Sequence, residues 1–410
     1  MSVIAPDSAP APAHPALPAG LPACAVVDLD AVSANVAALR RTAGDARLMA
    51  VVKADGYGHG MVPVARAALA GGADQLGVAH LREALDLRAA GIEAPVLAWL
   101  TVPGDRYAEA VAAGIEIGVS APSTLEEVAD AAREAGRAAQ VQVKADTGLS
   151  RNGCPPELWP DLVAATARLV AEGAVELTGV FSHLACADEP DHPSVRAQRE
   201  AFEQAVRTAE DTGLTVPLRH LANSAGTVMH PETHYDLVRP GISVYGFSPA
   251  PAVVTSVELG LRPAMTLLAR IAMIKRVPQG AGVSYGHTYT TPADTTLALV
   301  PVGYGDGLPR HASNSGPVLL GGRRYTVAGR VCMDQVVLDL GPGGDAAIGD
   351  VAVVFGDGRD GGPTATDWAD AAGTIDYEIV TRIGARVPRF YVGSAGHAEG
   401  PPAAAEGGVR

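Results

Sequence analysis

One lysine in this chain follows a short apolar run, in a position where an amine could do chemistry. The run Ala50-Val51-Val52 ends at Lys53, and a glycine-rich turn at residues 54–60 follows at once. This order is typical of a buried parallel strand that delivers a side chain to the mouth of a pocket. Partial loss of water lowers the pKa of such an amine and leaves it free to form a Schiff base with a carbonyl compound. The alternative is a solvated lysine at an ordinary strand end.

The elements that would position this lysine are short apolar strands, which alternate with alanine-rich amphipathic segments between residues 30 and 246. Eight strands are predicted, at 48–53, 75–79, 95–100, 115–119, 140–145, 176–183, 218–222 and 237–245. Each follows a helical pattern, and the first helix, at 30–41, has Asp30 as its expected N-cap. Eight such units indicate an α/β fold, a (β/α)8 barrel of the TIM type, with an open doubly wound sheet as the alternative.

A ninth strand, at 23–29, is left over. Because a closed barrel has no edge to accept it, we expect it to join a separate, mainly-β C-terminal domain at 247–393. That domain is predicted from runs at 265–277, 296–302, 316–320, 325–340 and 350–355, with a helical segment at 365–383. Residues 1–22 and 394–410 are rich in proline, alanine and glycine, and we expect them to be disordered tails.

Composition and charge argue against several classes of function. The chain carries 31 basic and 45 acidic side chains, a net charge of −14, which argues against binding to nucleic acid or a membrane surface. No apolar run reaches the ~20 residues of a membrane span, and the first residues lack the pattern of a signal peptide. The four cysteines show no metal-ligand spacing and are expected to be reduced thiols. We therefore expect a soluble, cytoplasmic protein with no bound metal.

In a barrel of this type, the chemistry collects at the carboxyl ends of the strands. Those ends carry polar and locally basic residues, namely Lys53, His80, Ser120, Lys144, Asp146, His183, Asn223, Ser224, Arg239 and Gly241. The set suits an anionic, aromatic cofactor such as pyridoxal phosphate better than a divalent metal, since no carboxylate–histidine spacing recurs. The stretches at 223–226 and 239–242 could each offer N–H groups to a phosphate, although either alone is also typical of an ordinary turn.

Short stretches between about residues 25 and 391 together resemble the bacterial alanine racemases, which are fold-type III pyridoxal-phosphate enzymes. Those in the predicted barrel are VVKADGYGHG at 51–60, KADTGLSRNG at 144–153, FSHLACAD at 181–188, ANSAG at 222–226 and VRPGISVYG at 238–246. Those in the predicted β-domain are VSYG at 283–286, VGYGDG at 302–307, GRVCMDQ at 329–335 and TIDYEI at 374–379. Each stretch alone is weak, and their joint presence and order make the resemblance specific.

The resemblance implies a two-base interconversion of L-alanine and D-alanine, which supplies D-alanine for peptidoglycan. Lys53 would hold pyridoxal 5'-phosphate covalently and would serve the D-enantiomer as a base. Tyr285 would be the base for the L-enantiomer, on the opposite face of the substrate Cα. Arg239 would face the pyridine nitrogen of the cofactor, and His183 would support Arg239 from an adjacent strand.

The resemblance also implies binding residues and a homodimer whose active sites are shared between subunits. Arg151 would bind the substrate carboxylate, and Lys144, if carbamylated, would hold Arg151. Met333, flanked by Cys332 and Asp334, would cross from the partner subunit into the substrate pocket. The entrance would be narrowed by Tyr304, and the cofactor phosphate would be held by Tyr57, Ser224, Gly241, Ile242 and Tyr377.

Three other functions remain open on the sequence. A basic-amino-acid decarboxylase of the same architecture would place a carboxylate against the pyridine nitrogen, and Arg239 argues against it. A non-catalytic pyridoxal-phosphate carrier would need only the barrel, and Tyr285 and Met333 in the β-domain argue against it. A racemase with a broader range of amino-acid substrates differs only in pocket size, which the sequence does not fix.

Overall fold

The computed structural model describes residues 17–359 and 361–395, so most of the two expected tails lies outside the described residues. The chain forms two compact units. The barrel unit comprises Asp28–Ala264 with the last few described residues, and the β unit comprises Met265–Tyr391 with the segment that precedes Asp28. Within the described part of the chain, no helix combines the length and the apolar character needed to cross a membrane.

The first strand, β1 (Ala23–Asp28), contributes to the β unit, and the eight strands that follow form the sheet of the barrel unit. They are β2 (Arg47–Val51), β3 (Gln75–Val78), β4 (Val96–Ala98), β5 (Glu116–Val119), β6 (Ala139–Lys144), β7 (Val175–Phe181), β8 (Arg219–His220) and β9 (Leu237–Val238). Neighbours pair in parallel in the order β8-β7-β6-β5-β4-β3-β2-β9.

The two ends of this sheet meet through backbone hydrogen bonds between β8 and β9. The N–H of Arg239 donates to the carbonyl of Ala222 at 2.9 Å, and the N–H of Asp236 donates to the carbonyl of Arg219 at 3.1 Å. Because the first and last strands of the order are joined, the sheet closes into a barrel. The predicted fold class, a (β/α)8 barrel with a separate mainly-β domain, is confirmed.

Helical segments alternate with the strands of the barrel unit, and the segment at 53–57 has left-handed backbone angles inside it. The helical segments are α1 (Leu29–Ala43), α2 (Lys53–Tyr57), α3 (Met61–Ala70), α4 (Leu81–Ala89), α5 (Tyr107–Ala112), α6 (Pro122–Ala135), α7 (Trp159–Ala171), α8 (Ser194–Glu210) and α9 (Ser224–Met229). The expected N-cap of the first helix was wrong, because the carboxylate of Asp28, not Asp30, accepts from the N–H of Ala31 at 2.9 Å. Asp30 lies in the first turn and accepts from the N–H groups of Ser394 and Ala395.

The sequence placed the end of the barrel at residue 246, whereas the compact barrel unit extends to Ala264. Hydrogen bonds to the first helix explain the difference. The side chain of Asn35 on α1 accepts from the N–H of Arg262 at 2.8 Å and donates to its carbonyl at 2.9 Å. Asp28 adds an ion pair to the same arginine at 2.6 Å. These bonds tie residues 247–264 to the barrel unit.

The described residues of the β unit form three mainly antiparallel sheets and two short helices. Its strands after β1 are β10 (Met265–Arg270), β11 (Met273–Val277), β12 (Gly282–Val283), β13 (Tyr289–Thr290), β14 (Thr295–Val300), β15 (Pro317–Leu320), β16 (Arg323–Thr326), β17 (Val336–Asp339), β18 (Val351–Phe355) and β19 (Arg389–Val392). The helices are α10 (Ala365–Ala372) and α11 (Asp376–Thr381). The sheet orders are β16-β15-β18-β10-β1-β19, β11-β14-β17 and β12-β13, so β1 lies inside the largest sheet.

Candidate active site

Lys53 begins a left-handed turn immediately after strand β2. Ala54, Asp55 and Tyr57 have φ values of 53°, 53° and 51°, and Gly56 between them has 59°. Left-handed backbone costs about 1–2 kcal/mol for each residue other than glycine, so this turn costs on the order of 3–6 kcal/mol. Such a cost persists only where surrounding contacts offset it. The turn bends the chain sharply at the end of the strand and so fixes where the lysine leaves the backbone.

Carboxylates hold the turn in this conformation. Glu83 on α4 accepts from the N–H of Ala54 at 2.7 Å. Asp55, inside the turn, accepts from the N–H of Met61 at 2.9 Å through its side chain. The ring of Tyr57 stacks on that of Tyr245, with 4.7 Å between the ring centroids. These contacts supply the stabilisation that the left-handed backbone requires.

The Lys53 amine is half-buried and lies in a positive environment. Its Nζ lies 6.0 Å from the centroid of the Trp99 ring, which follows strand β4. Burial lowers the pKa of the Lys53 amine, the charge of Arg151 lowers it further, and Glu83 opposes both. A lowered pKa increases the neutral fraction of the amine, which is the form that attacks a carbonyl and accepts a proton.

Lys144 ends strand β6, and its buried amine lies 5.5 Å from the centroid of the Phe181 ring. Burial lowers the pKa of Lys144 to about 8, and the charges of Arg239 and Arg151 act in the same direction. The same ring of Phe181 lies 5.7 Å from the guanidinium carbon of Arg239. The structure thus brings the predicted cations Lys53, Lys144, Arg151 and Arg239 into one electrostatic cluster. Such a cluster in a chain of net charge −14 favours an anionic ligand.

Arg239 follows β9 and is buried, and several groups hold its guanidinium. It donates to the carbonyls of Ser182 at 2.6 Å and Leu221 at 3.2 Å, and to Nδ1 of His220 at 2.8 Å. His183 lies farther away, with 3.5 Å between its Nδ1 and the guanidinium. The expected contact between His183 and Arg239 is thus present, although it is long, and only the expected adjacency of their strands was wrong. Strand β8, which carries His220, is adjacent to β9, whereas His183 follows β7.

Behind Arg239, a buried chain of hydrogen bonds runs through the barrel interior. His220 Nε2 bonds to the side-chain oxygen of Gln142 at 2.6 Å, and the amide nitrogen of Gln142 donates to the carboxylate of Glu116. A carboxylate can only accept, so the Gln142 amide must present its oxygen to His220. His220 then donates through Nε2 and accepts from Arg239 through Nδ1. Burial holds the pKa of His220 well below its usual value, as this neutral tautomer requires.

Two backbone segments at the ends of β8 and β9 form a small cradle. Ser224 starts α9, and its hydroxyl oxygen accepts from the N–H of Gly241 at 2.8 Å. A Cβ atom on Gly241 would lie 2.4 Å from the hydroxyl oxygen of Tyr57, so the cradle requires glycine there. Ile242 is buried at the start of the 3-10 turn that follows. The structure therefore brings together four of the five residues expected to hold a phosphate.

Arg151 lies on a closed loop after β6. The N–H of Cys154 donates to the carbonyl of Lys144, and the N–H of Asp146 donates to the carbonyl of Cys154, which closes the loop. The Asp146 carboxylate accepts from the N–H of Ser150 at 3.1 Å, and Asn152 accepts from the Ser120 hydroxyl at 2.9 Å. These bonds fix the backbone on both sides of Arg151. The residue itself is exposed.

The remaining predicted residues lie in the β unit. Tyr285, Tyr304, Cys332, Met333 and Asp334 all line one depression of about 690 Å³. The side chains of Tyr285 and Met333 are 72% and 52% exposed, a large fraction for an aromatic and a thioether group. The N–H of Tyr304 donates to the carbonyl of Cys332 at 2.9 Å, and this hydrogen bond joins the two loops. Tyr377, the fifth expected phosphate ligand, lies in the same unit on α11.

Ser284 precedes Tyr285 and has an unusual backbone conformation. Its φ of 61° is left-handed, and its hydroxyl donates to the carbonyl of Arg330 at 2.8 Å. Its hydroxyl also lies 3.2 Å from the Cys332 thiol. This strained residue thereby ties the tyrosine to the loop that carries Met333.

Sequence reasoning missed four side chains that shape the site, namely Glu83, Trp99, His220 and Gln142. Trp99 follows a correctly predicted strand, so its place at a strand end was a usable signal. His220 and Gln142 are polar residues inside apolar strands, which is a signal for a buried network. Glu83 lies on a helix and looks like any other solvated carboxylate in the sequence.

Comparison with known proteins matches both units to domains of the same protein family. The alanine racemase N-terminal domain matches residues 27–249, and the alanine racemase C-terminal domain matches residues 264–391. An alanine racemase of Frankia casuarinae is 58% identical over 377 residues, which cover 92% of this chain and 98% of that protein.

Solved structures of two alanine racemases superpose over nearly the whole chain. The enzyme of Streptomyces coelicolor A3(2) has a TM-score of 0.90 and 56% identity, and covers 91% of this chain and 98% of that structure. The enzyme of D-cycloserine-producing Streptomyces lavendulae has a TM-score of 0.89 and the same identity, over 91% of this chain and 97% of that one. These matches span both units, and the chain belongs to the alanine racemase family of enzymes.

Proposed function

We propose that this enzyme uses pyridoxal 5'-phosphate and two bases, Lys53 and Tyr285, to interconvert L-alanine and D-alanine. The observation that carries the proposal is the environment of Lys53. Its amine has a lowered pKa, leaves a strand end on a rigid left-handed turn, and lies among cations that favour an anion. Supply of D-alanine for peptidoglycan and a cytoplasmic location are parts of the same proposal.

The residues of the barrel unit fit this cofactor. The Ser224 hydroxyl already accepts from Gly241 N–H, so its own hydrogen is available to a phosphate oxygen, and the missing Cβ of Gly241 leaves room beside Tyr57. Ile242 and Tyr377 would complete the phosphate site. When bound, pyridoxal phosphate supplies an aromatic ring that withdraws electrons from the Cα–H bond of an amino acid.

Arg239 would face the ring nitrogen of the cofactor. Arginine donates and does not accept, so this residue disfavours a proton on that nitrogen. Limiting the electron withdrawal in this way suits an enzyme that returns the proton to Cα instead of cleaving another bond. A decarboxylase would need a negatively charged group beside the ring nitrogen. The buried guanidinium of Arg239, which donates to two backbone carbonyls, is positively charged.

Proton transfer would be divided between the two faces of the substrate. Lys53 would take or return the proton on one face, and Tyr285 would do so on the other. Arg151 would hold the substrate carboxylate, and Lys144 in carbamylated form would hold Arg151. The exposure of Tyr285 and Met333 supports a homodimer in which these residues enter the partner's site and Tyr304 narrows its entrance.

Stereochemistry tests the assignment of the two bases. In a Tyr285→Ala variant, Lys53 still reaches the α-proton of D-alanine, so this proton should exchange with deuterated solvent while racemisation nearly stops. The α-proton of L-alanine should exchange far more slowly, since a base on one face cannot reach a proton on the other. Loss of the α-proton signal in NMR gives both rates. Equal exchange of the two enantiomers would contradict the two-base proposal.

The site of cofactor attachment is tested by borohydride reduction and peptide mapping. The reduced cofactor should be found on Lys53, and a Lys53→Ala variant should lose nearly all racemisation. Recovery of the label on Lys144 or Lys275 would overturn the assignment.

A further inference from the structure

The carboxylate of Glu83 joins the turn after Lys53 to another part of the barrel. Its Oε1 accepts from the N–H of Ala54 at 2.7 Å, and its Oε2 accepts from the N–H groups of Ala79 at 2.9 Å and His80 at 3.0 Å. The bonds to Ala79 and His80 are those of an ordinary helix cap at the start of α4. The bond to Ala54 reaches a segment 29 residues earlier, so capping α4 does not explain it.

Ala54 is the first left-handed residue of the turn and directly follows Lys53. A bond from a charged carboxylate to this N–H fixes the peptide group that sets the direction of the lysine side chain. Asp55 holds the far end of the same turn through the N–H of Met61. Glu83 is thus the anchor nearest to the lysine, and it belongs to a different strand–helix unit.

We propose that Glu83 is a positioning residue for Lys53, which acts by holding the left-handed turn that directs the amine into the site. This inference rests on the proposed role of Lys53. The Glu83 charge also opposes the effect of burial and Arg151 on the pKa of Lys53. Glu83 therefore controls both where the amine lies and how readily it keeps a proton.

A Glu83→Gln substitution separates this role from the capping of α4. An amide has one acceptor oxygen, which should stay with the two N–H groups of Ala79 and His80, because that orientation keeps two bonds. The amide nitrogen then faces the N–H of Ala54, and two donors cannot bond. The variant should therefore release the turn while it keeps the cap.

Amide hydrogen exchange of the holoenzyme, resolved to single residues, provides the structural readout. In Glu83→Gln, the Ala54 amide should exchange at least about tenfold faster, since a charge-assisted bond is lost there. The amides of Ala79 and His80 should change by less than about twofold, since their bonds persist. Unchanged exchange at Ala54, or an equal increase at all three amides, would overturn the proposal.

The functional readout is the split between kcat and KM. A displaced base should lower kcat by up to about 100-fold, with KM little changed because Glu83 does not bind the substrate. The pH at which the cofactor–lysine absorbance changes should also move to lower pH, since the Glu83 charge that favours the protonated amine is gone. Faster exchange at Ala54 with normal kcat and an unmoved absorbance transition would overturn the role in positioning.

An Asp367→Asn variant is the matched control. Asp367 caps α10 in the β unit through the N–H of Thr364 at 2.7 Å. It should lose comparable stability without any change in Ala54 exchange or in the absorbance transition. The same loss of kcat in this control would show a general stability effect and overturn the proposal. If borohydride mapping places the cofactor on another lysine, the proposed function fails, whereas the exchange pattern still reports on the anchor.

Discussion

The missing side chain of Gly241 is what allows the Tyr57 hydroxyl to lie against the backbone that follows the last barrel strand. A Cβ atom there would stand 2.4 Å from the phenolic oxygen and 3.2 Å from the ring carbon that bears it. Tyr57 is buried and cannot retreat into solvent, because its ring is stacked on Tyr245. The two residues therefore define one wall of the proposed phosphate cradle.

A Gly241→Ala substitution should weaken cofactor binding more than it weakens the fold. Overpacking of this kind typically costs about 1–3 kcal/mol, and here the displaced phenol is also a proposed phosphate ligand. Cofactor titration and denaturant unfolding measure the two effects. Tyr57→Phe removes the clashing oxygen, so Gly241→Ala should cost less in that background, and additive effects of the two changes would contradict the contact.

His220 should stay neutral, with its proton on Nε2, throughout the pH range in which an ordinary histidine titrates. The chain from Glu116 through Gln142 requires this tautomer, and burial holds the pKa of His220 well below its usual value. Nitrogen-15 NMR of histidine-labelled enzyme distinguishes the two tautomers and the charged ring. A His220 signal that titrates near the ordinary histidine pKa would contradict the chain.

Carbamylation of Lys144 should increase with pH. Burial, reinforced by Arg239 and Arg151, lowers the pKa of its amine to about 8. Carbon dioxide combines with the neutral amine, so at fixed dissolved carbon dioxide the carbamate should increase as pH rises through about 8 and decrease below it. Carbon-13 NMR with labelled carbon dioxide would show the carbamate carbonyl. A Lys144→Arg variant should lack that signal, and its persistence would place the modification elsewhere.

Two inactive variants should restore activity when their subunits exchange. If Tyr285 enters the partner's site, a hybrid of Lys53→Ala and Tyr285→Phe chains has one site with both lesions and one with neither. Random exchange in a symmetric dimer then returns roughly a quarter of wild-type activity. Native mass spectrometry verifies the exchange. Exchange without recovered activity would mean that each chain supplies its own tyrosine.

Local sequence patterns were enough to predict the barrel, because eight short strand-like segments alternate along the chain with alanine-rich amphipathic segments. The same patterns did not identify the correct residue where two residues of the same type could fill one structural role. Asp28 and Asp30 are equally good caps in sequence, and only the backbone direction at the end of β1 selects Asp28. Likewise, His183 and His220 both follow or end barrel strands, and the neighbour relation of β8 and β9 selects His220.

The β unit was harder to predict, since its strands are short and its loops carry the functional residues. A single run spans 325–340 in the sequence, yet two strands share it, since β16 ends at Thr326 and β17 begins at Val336. The interruption includes Gly329, whose φ of 86° and close approach to the carbonyl of Val283 break the strand. The resulting loop is the one that carries Met333.

The place of β1 within the largest sheet has a consequence for biosynthesis. Its hydrogen-bonding partners, β10 and β19, are synthesised only after the whole barrel sequence. The nascent chain must therefore carry an apolar strand with both edges unpaired while the barrel folds beside it. An unpaired apolar strand of this kind is prone to aggregation and to binding by chaperones. A fragment that starts at Asp28 would keep the sequence of the barrel unit but would deprive the β unit of a strand that lies between β10 and β19.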